Sequence, residues 1–200
     1  CREHGVKKVI HMSSFSPYGV TKEAVTEATL FNANNPYGAS KVCCEEIAKC
    51  YAMKYGIKTV IFRAPLLCGE GQQELNALRE FAYSVKKGEP IVLLGEGKHV
   101  REFVHPSDVA RAFSLSIPYI DLMKNPYEIF VLGNKPISMK DLAHLVVKTS
   151  GKEVPVIHKE ANLFVFNQWT DRSKVEQILG WKPEITVEEI VKRVIADIKV

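Results

Sequence analysis

The stretch Asn-Asn-Pro-Tyr-Gly-Ala-Ser-Lys, residues 34–41, opens a strong helical pattern around which the neighbouring segments are arranged. Tyr37 and Lys41 are four residues apart, so on a helix their side chains lie on one face, about one turn apart. A positive charge beside a phenol favours the phenolate, which predicts that Tyr37 can exchange a proton near neutral pH. Asn35 as N-cap followed by Pro36 is also an ordinary start of a structural helix. The motif alone leaves both interpretations open.

Apolar runs on both sides of this helix predict two strands of a parallel sheet. Residues 9–14, Val-Ile-His-Met-Ser-Ser, have the compact apolar character of a strand that is buried on both faces. The helix is predicted over residues 36–55 and ends at Gly56, and residues 57–62 form the second buried strand. The helix positions expected to face inward are Val42, Ile47, Ala48 and Tyr51.

The order strand, helix, strand defines a unit with a right-handed crossover, and active sites of such sheets lie beyond the carboxyl ends of the strands. Ser14 stands at one such end and residues 63–69 at the other, while Tyr37 begins the helix between them. We therefore expect these three segments to meet in one crevice. A serine at the end of a strand also commonly serves only the local backbone.

The second half of the chain has shorter elements and predicts a smaller mixed lobe. The predicted helices cover residues 72–87, residues 106–116 and segments that begin at Ser138, Asp171 and Thr186. The predicted strands cover residues 90–94, 99–105, 127–132 and 154–158. Ser138 with Asp141, and Thr186 with Glu189, have the spacing of capping boxes. Asp108 is expected to cap the helix that begins near residue 106.

Composition and charge narrow the class of protein. The 200 residues suffice for one large domain or two small ones, and a net charge of +4 suits an anionic small molecule but not a nucleic acid. No run of eighteen apolar residues occurs, so neither a membrane span nor a membrane partner is expected. Five unevenly spaced cysteines predict reduced thiols of a cytoplasmic protein, and the six scattered histidines predict no metal site.

Three segments together resemble the extended short-chain dehydrogenase/reductase family: Val-Ile-His-Met-Ser-Ser-Phe-Ser-Pro-Tyr-Gly (9–19), Pro-Tyr-Gly-Ala-Ser-Lys (36–41) and Phe-Arg-Ala-Pro-Leu-Leu-Cys-Gly (62–69). The resemblance continues through Gly-Glu-Gly-Lys-His-Val-Arg-Glu-Phe-Val-His-Pro-Ser-Asp-Val-Ala-Arg-Ala (95–112) and Asp-Arg-Ser-Lys-Val-Glu-Gln-Ile-Leu-Gly-Trp-Lys-Pro (171–183). Within the family, the chain is most similar to the NAD-dependent nucleotide-sugar epimerases and dehydratases.

The resemblance implies an α/β fold: the C-terminal part of a Rossmann-type doubly wound parallel sheet plus a small mixed α/β substrate-binding lobe. Residues 1–70 would be the remaining part of the NAD-binding domain, with the catalytic set. Residues 71–200 would be mainly the substrate-binding lobe, with residues at about 99–117 returning to the Rossmann domain. Relatives of this kind pair through the helix that bears Tyr37 and Lys41, which implies a homodimer.

Roles follow from the resemblance residue by residue. Ser14 would be the catalytic hydroxyl, Tyr37 the general acid/base, and Lys41 would hold the nicotinamide ribose and keep Tyr37 acidic. Arg101 would bind a nucleotide phosphate, a task suited to a guanidinium fork, although a surface arginine on an edge strand is equally compatible with the pattern. The implied cofactor contacts are Tyr37, Lys41, Ala64 and Pro65, and the implied substrate contacts are Ser14, Leu66 and Arg101.

The implied reaction is a transient oxidation of a nucleotide-sugar hydroxyl by NAD, with NADP as the alternative cofactor. The resulting ketone is then reduced on its other face (epimerase), loses water (dehydratase) or leaves as product (dehydrogenase). Sugar dehydratases of the family usually carry Thr-Asp-Glu after the catalytic strand, whereas Phe15 and Ser16 follow Ser14 here. We therefore expect an epimerase. A reductase or dehydrogenase on another substrate, or a non-catalytic binding protein that keeps the fold, is the alternative.

The chain departs from the family pattern in three places. It contains no Gly-x-x-Gly-x-x-Gly turn, so we expect roughly the first hundred residues of the family pattern to be missing, and these residues alone to bind NAD poorly. Leu66 stands where many members have an asparagine that contacts the nucleotide sugar. Residues 159–170 lack the expected Arg-x-Gly-Asp, which removes a second phosphate-binding arginine.

Overall fold

The computed structural model describes residues 1–73, 76–160 and 167–199. Its strands are β1 Lys8–Met12, β2 Lys58–Arg63, β3 Leu66–Leu67, β4 Ile91–Leu94, β5 Val100–Arg101, β6 Phe103–Val104, β7 Tyr127–Val131, β8 Ile137–Ser138 and β9 Val156–Lys159. Its helices are α1 Pro36–Tyr55, α2 Ala77–Lys87, α3 Pro106–Leu122, α4 Met139–Ser150, α5 Ser173–Leu179 and α6 Val187–Asp197, with a 3₁₀ helix at Ser16–Tyr18. The α/β class predicted from the sequence is confirmed.

The main sheet contains three parallel strands in the order β1-β2-β7. Met12 pairs with Phe62, and Phe62 pairs in turn with Phe130, so the carboxyl ends of the strands lie at one edge. Nearly all of β2 is buried, whereas β1 is the edge strand of the described sheet and is only half-buried. The prediction that residues 9–14 are buried on both faces is therefore wrong for β1 in the described structure.

Helix α1 begins and ends where its local signals predict. The side chain of Asn35 accepts a hydrogen bond from the backbone N–H of Gly38 at 2.8 Å, and Pro36 occupies the first turn, where its missing N–H costs nothing. Gly56 ends the helix with φ of 66°, a left-handed conformation that glycine adopts without strain.

The predicted inward face of α1 is wrong for Ile47 and Tyr51, whereas Val42 and Ala48 are partly buried. Ile47 is 59% exposed and Tyr51 is 42% exposed, while the buried positions are Gly38, Glu45 and Ala52, which repeat every seven residues or two turns. The helix approaches the sheet through small residues and one charged side chain rather than through large apolar ones. Apolar periodicity could not reveal this face, because its central residue is a carboxylate.

Residues 99–105 form two short strands instead of the single strand predicted. β5 pairs antiparallel with β8, and β6 pairs parallel with β3. Glu102 lies between them and is buried, and its carboxylate accepts hydrogen bonds from the backbone N–H of Thr170 at 3.1 Å and from the Thr170 hydroxyl at 2.9 Å. A side chain held inside the protein in this way redirects the backbone from one partner strand to another.

Helix α3 continues beyond the predicted end near residue 116. It includes Pro118, because the apolar residues that follow, Ile120 and Met123, are buried in the core beside the main sheet. The cap of this helix is His105, so the expectation that Asp108 is a cap is wrong.

Asp108 instead holds the chain that follows α5. It is 2% exposed and accepts hydrogen bonds from the backbone N–H groups of Glu184 and Ile185, each at 3.0 Å. The indole N–H of Trp181 donates to the Asp108 carbonyl at 2.8 Å. Three donors of the segment that follows α5 are thereby satisfied by one residue near the start of α3.

Two large hydrophobic clusters form around different elements of the structure. One packs β2, β7 and α3 around Phe62, Phe130 and Trp181. The other packs α2, α4 and α6 against β4 and β6. Strand β7, residues 127–131, belongs to the main sheet, and α3 packs beside that sheet. Two segments that follow residue 70 therefore contact the main sheet. The division of the chain into domains near residue 70 stays a prediction.

Two helices of the second half, α4 and α6, begin at their predicted caps. Ser138 and Thr186 accept hydrogen bonds from the N–H groups of Asp141 and Glu189, as the capping boxes predict. Helix α2 begins at Ala77 rather than at residue 72.

The expectation for residues 159–170 falls largely outside the described residues, since 161–166 are not described. No helix in the described ranges combines the length and apolar character that crossing a membrane requires.

Candidate active site

Two adjoining cavities lie at the carboxyl edge of the main sheet. They have volumes of about 330 and 390 Å³ and share Ser14, Tyr37, Ala64, Pro65 and Leu66 as lining residues. Arg101 lines the first of them, and Lys41 lines the second. The structure thus brings all of the predicted site residues together from separate segments, whereas their individual roles remain predictions.

Ser14 is held by the continuation of the sheet. The backbone N–H of Ser13 donates to Phe62 O at 2.7 Å, and that of Phe15 donates to Ala64 O at 3.1 Å, so the chain is fixed on both sides of Ser14. The Ser14 hydroxyl accepts a hydrogen bond from the backbone N–H of Ser16 at 3.1 Å. That local bond occupies an acceptor site and leaves the O–H able to donate.

Tyr37 and Lys41 lie on one face of the first turns of α1. The Tyr37 side chain is 56% exposed, and the ammonium nitrogen of Lys41 lies 5.7 Å from the centre of its ring. The same ammonium group donates a hydrogen bond to the carbonyl of Met12 at 3.1 Å. The Lys41 ammonium group is therefore held between the Tyr37 phenol and the end of β1, in the cavity that Ser14 also lines.

Gly38 allows the first turn of α1 to approach the loop that follows Ser14. A Cβ atom at this position would lie 2.7 Å from the carbonyl oxygen of Ser16, closer than such contacts permit, and 3.0 Å from its hydroxyl oxygen. The side chain of Asn35 also contacts the Ser16 hydroxyl, with its amide donating at 3.1 Å. Sequence reasoning missed this role of Gly38, although the residue lies between Tyr37 and Lys41 in the motif of residues 34–41.

Arg101 contributes the positive charge of the first cavity. Burial lowers the pKa of its guanidinium, although the group remains a cation at neutral pH. Gln168 lies beside it, with its backbone N–H donating to Val100 O at 3.1 Å and its side-chain amide donating to Phe15 O at 3.4 Å. Sequence reasoning missed Gln168, which no motif distinguishes.

The remaining lining is neutral. Leu66 is 39% exposed and presents an apolar side chain to both cavities. Asn76, the N-cap of α2, and Gln72 line the second cavity and are joined by a hydrogen bond of 3.3 Å. Among the described lining residues of both cavities there is no Asp or Glu. Nor do the described residues contain a group of three His, Cys, Asp or Glu side chains arranged to hold a metal ion.

Residues 1–133 match the model of the NAD dependent epimerase/dehydratase family. The chain belongs to this family. Its members are NAD-dependent enzymes, and the resemblance noted in the sequence is thereby confirmed.

Relatives named for 4-epimerase activity align along almost the whole chain. A UDP-glucose 4-epimerase of Streptococcus mutans is 30% identical over 210 residues, which covers 94% of this chain and 62% of the relative. A UDP-glucuronate 4-epimerase of Thermodesulfobacterium geofontis is 28% identical over 201 residues, which covers 97% of this chain and 60% of the relative. The chain therefore spans less than two thirds of the length of these curated relatives.

Solved structures of similar fold include a UDP-glucose 4-epimerase of Thermotoga maritima with UDP-glucose, at a TM-score of 0.87 and 25% identity, covering 98% of this chain and 64% of that one. A UDP-glucuronic acid 4-epimerase of Bacillus cereus in complex with UDP-glucuronic acid and NAD has a TM-score of 0.86 and 24% identity, covering 98% and 63% of the two chains. The predicted Rossmann-type α/β fold is confirmed by these matches.

Proposed function

We propose that these residues form the catalytic edge and the substrate-binding side of an NAD-dependent nucleotide-sugar epimerase. The observation that carries the proposal is the meeting of Ser14, Tyr37 and Lys41, from a strand end and a helix start, in one cavity. A protein that only binds a ligand has no need for a phenol, an ammonium group and a hydroxyl in this combination. The relatives named as 4-epimerases support the same reaction class.

The residues present fit one end of the cofactor. The second cavity offers the Lys41 ammonium group and the Tyr37 hydroxyl beside the small apolar wall of Ala64 and Pro65, which suits a nicotinamide and its ribose. When bound, NAD supplies the acceptor and donor of hydride. No glycine-rich turn for its pyrophosphate occurs in the 200 residues, so the fit concerns the nicotinamide end alone.

In the proposed mechanism, Tyr37 removes the proton of a sugar hydroxyl as the carbon that carries it is oxidised, and later returns the proton to the same oxygen. The O–H of Ser14 donates a hydrogen bond to that oxygen. Lys41 stabilises the phenolate by its positive charge. Arg101 holds a phosphate group of the nucleotide at the other cavity. Rotation of the ketone between the two half-reactions presents its other face and inverts the carbon.

The lack of a carboxylic acid among the described lining residues favours epimerisation over dehydration. Elimination of water needs an acid that protonates the leaving hydroxyl, and no described lining residue is a carboxylic acid. A reductase that acts on another substrate is the second candidate. Leu66 favours it, because this partly exposed apolar side chain stands where a polar contact to a nucleotide sugar is usual in the family.

A homodimer is part of the proposal. Apolar side chains on the outer face of α1 are exposed, with Ile47 at 59% and Tyr51 at 42%, and a partner helix would cover them. A cytoplasmic location stays a prediction; the five cysteines, all free, suit a reducing compartment.

The test uses the protein encoded by the full open reading frame around these residues. It is incubated with NAD and UDP-sugars that differ at C4, and both directions of interconversion are followed. We expect interconversion without net NADH formation, and a loss of roughly 10²- to 10⁴-fold in kcat for Tyr37→Phe but not for Tyr83→Phe, an exposed tyrosine on α2. Net oxidised or reduced product with stoichiometric cofactor turnover would establish the reductase instead, and full activity of Tyr37→Phe would refute the mechanism.

A further inference from the structure

Glu45 is a buried carboxylate on the face of α1 that carries Lys41. Its side chain is 0% exposed, and it accepts a hydrogen bond from Ser13 Oγ at 2.5 Å. Arg63, at 3% exposure, donates to it through Nε at 3.0 Å and through Nη2 at 2.7 Å. A fork of two parallel bonds between guanidinium and carboxylate fixes the orientation of both groups as well as their distance.

The opposite side of the Arg63 guanidinium holds the loop that follows Ser14. Nη1 donates to the Tyr18 hydroxyl at 2.7 Å and to the Glu27 carbonyl at 3.1 Å, and the Tyr18 hydroxyl donates to the Thr26 carbonyl at 3.0 Å. Burial raises the pKa of Tyr18 to about 12, against the lowering influence of Arg63, so the phenol keeps its proton and serves as a donor at neutral pH.

Each segment that meets in this cluster carries a residue of the proposed active site. The adjacent site residues are Lys41, one turn before Glu45; Ser14, directly after Ser13; and Ala64, directly after Arg63. Neither Glu45 nor Arg63 is among the described lining residues of the two cavities. Any influence of the pair on catalysis therefore passes through its neighbours.

Stability alone is a poor explanation for this pair. Removing two charges from water offsets much of their mutual attraction, and apolar residues of similar volume often replace buried ion pairs without loss of stability. An apolar pair cannot reproduce the directed hydrogen bonds of this cluster. The Arg63 guanidinium donates to Glu45 on α1, and Glu45 in turn accepts from the Ser13 hydroxyl. The same guanidinium donates to the loop at Tyr18 and Glu27. The specific contribution of the pair is orientation.

We propose that Glu45 and Arg63 are positioning residues, which hold the Ser14 hydroxyl and the Tyr37–Lys41 pair in register across the carboxyl edge of the main sheet. The inference rests on the proposed function and assigns the pair to the catalytic step. Arg101, which would bind the nucleotide, lies on β5, outside the cluster. Loss of the pair therefore lowers kcat and leaves KM for the nucleotide sugar nearly unchanged.

The central experiment replaces both partners, Glu45→Met with Arg63→Met, in the protein of the full open reading frame. We expect a folded protein whose kcat is about 10- to 100-fold lower, since misplacement of reacting groups by about 1 Å costs this much, and whose KM changes less than about twofold. The control replaces the pair Lys174 and Glu128, which are 2.6 Å apart on α5 and β7, by methionine; it is expected to retain the wild-type kcat.

A second variant guards against a failure to fold. Arg63→Lys keeps the buried charge but loses the fork, so that one ammonium group cannot hold both Glu45 and the Tyr18 loop. We expect a loss of kcat in the same direction in a protein that remains folded by circular dichroism. A folded variant of either kind with full kcat overturns the positioning role.

Hydrogen exchange separates this inference from the proposed function. Amides of residues 13–19 and 36–41 are expected to exchange faster in the Glu45→Met, Arg63→Met protein and at the wild-type rate in the control. If the wild-type protein shows no turnover of nucleotide sugars, the proposed function fails, and the exchange rates still decide whether the pair orders both segments. Unchanged exchange in both segments overturns the positioning role whether or not the enzyme is active.

Discussion

Lys41 follows Tyr37 by about one turn of α1, and its ammonium nitrogen lies 5.7 Å from the centre of the Tyr37 ring. Its hydrogen bond to the Met12 carbonyl, at 3.1 Å, connects the same cation to the end of β1, two residues before Ser14. One lysine thus links the helix and the strand that carry the proposed catalytic groups. Its removal is expected to disturb the charge beside the phenol and the contact between these two elements.

Lys41→Met is therefore expected to lower kcat by roughly 10²-fold or more, the scale of a lost acid/base contribution. The methionine keeps most of the apolar stem of the lysine, so the far-ultraviolet circular dichroism should not change. Steady-state kinetics of the protein from the full open reading frame measures the effect. Lys49→Met is the control, because Lys49 lies on the same helix and pairs with Glu46 at 2.7 Å outside the cavities. Equal losses in both variants would contradict a specific role of Lys41.

Gly38→Ala tests the close approach of α1 to the loop at Ser16. The added methyl group would lie 2.7 Å from the Ser16 carbonyl oxygen, which the backbone can relieve only by separating the helix from the loop. We expect kcat to fall by about tenfold to hundredfold, because the Tyr37 and Ser14 hydroxyls move apart. Ala39→Ser, at the exposed neighbouring position, is the control and should retain activity. Wild-type kinetics of Gly38→Ala would show that the first turn tolerates the shift.

Local signals were sufficient to predict where α1 begins and ends. The N-cap at Asn35, the proline after it and the glycine stop at Gly56 act within one turn of the helix, so a single sequence reveals them. The convergence of Ser14, Tyr37 and residues 63–69 was also predictable, because parallel strands place their carboxyl ends at one edge. For the same reason the neighbourhood of the site was accessible without a structure.

What escaped prediction depends on partners that are distant in the sequence. Glu45 occupies the centre of the inward face of α1 only because Arg63, 18 residues later, neutralises it. Glu102 interrupts a continuous strand pattern because Thr170, 68 residues later, binds its carboxylate. An apolar pattern treats both residues as solvent-facing, and no local signal identifies the partner. Buried carboxyl groups thus account for two of the sequence-based expectations that were wrong, the inward face of α1 and the single strand over residues 99–105.

Glu102 should give the protein a recognisable pH dependence of stability. Burial raises the pKa of its carboxyl from 4.5 to about 7, although the hydrogen bonds from Thr170 act to lower it. Between these values the folded protein retains a proton that the unfolded chain has released, so the free energy of unfolding falls as the pH rises through this window. Above the window the ionised carboxylate costs about 3 kcal/mol relative to an unshifted group.

Glu102→Gln removes this titration. Between pH 4.5 and pH 8 the wild type is expected to lose about 3 kcal/mol more of its free energy of unfolding than the variant does. Urea denaturation of the two proteins across this range measures it, and other titrating groups cancel in the difference. Parallel stability curves would mean that Glu102 is ionised at acidic pH in the folded protein.

Arg101→Gln tests which side of the site recognises the nucleotide. A charge-assisted bond to a phosphate contributes about 1.5–3 kcal/mol, so KM for the nucleotide sugar should rise by about 10- to 100-fold. The kcat should change little, because the proposed role of Arg101 is to hold the phosphate, whereas Lys41, the cation beside Tyr37, lines the other cavity. Arg101→Lys keeps the charge without the fork and should fall between wild type and Arg101→Gln. Arg193→Gln, which loses the pairs of Arg193 with Glu189 and Glu70 outside the two cavities, should leave KM unchanged. A fall in kcat with constant KM for Arg101→Gln would place this arginine at the reacting carbon instead of the phosphate.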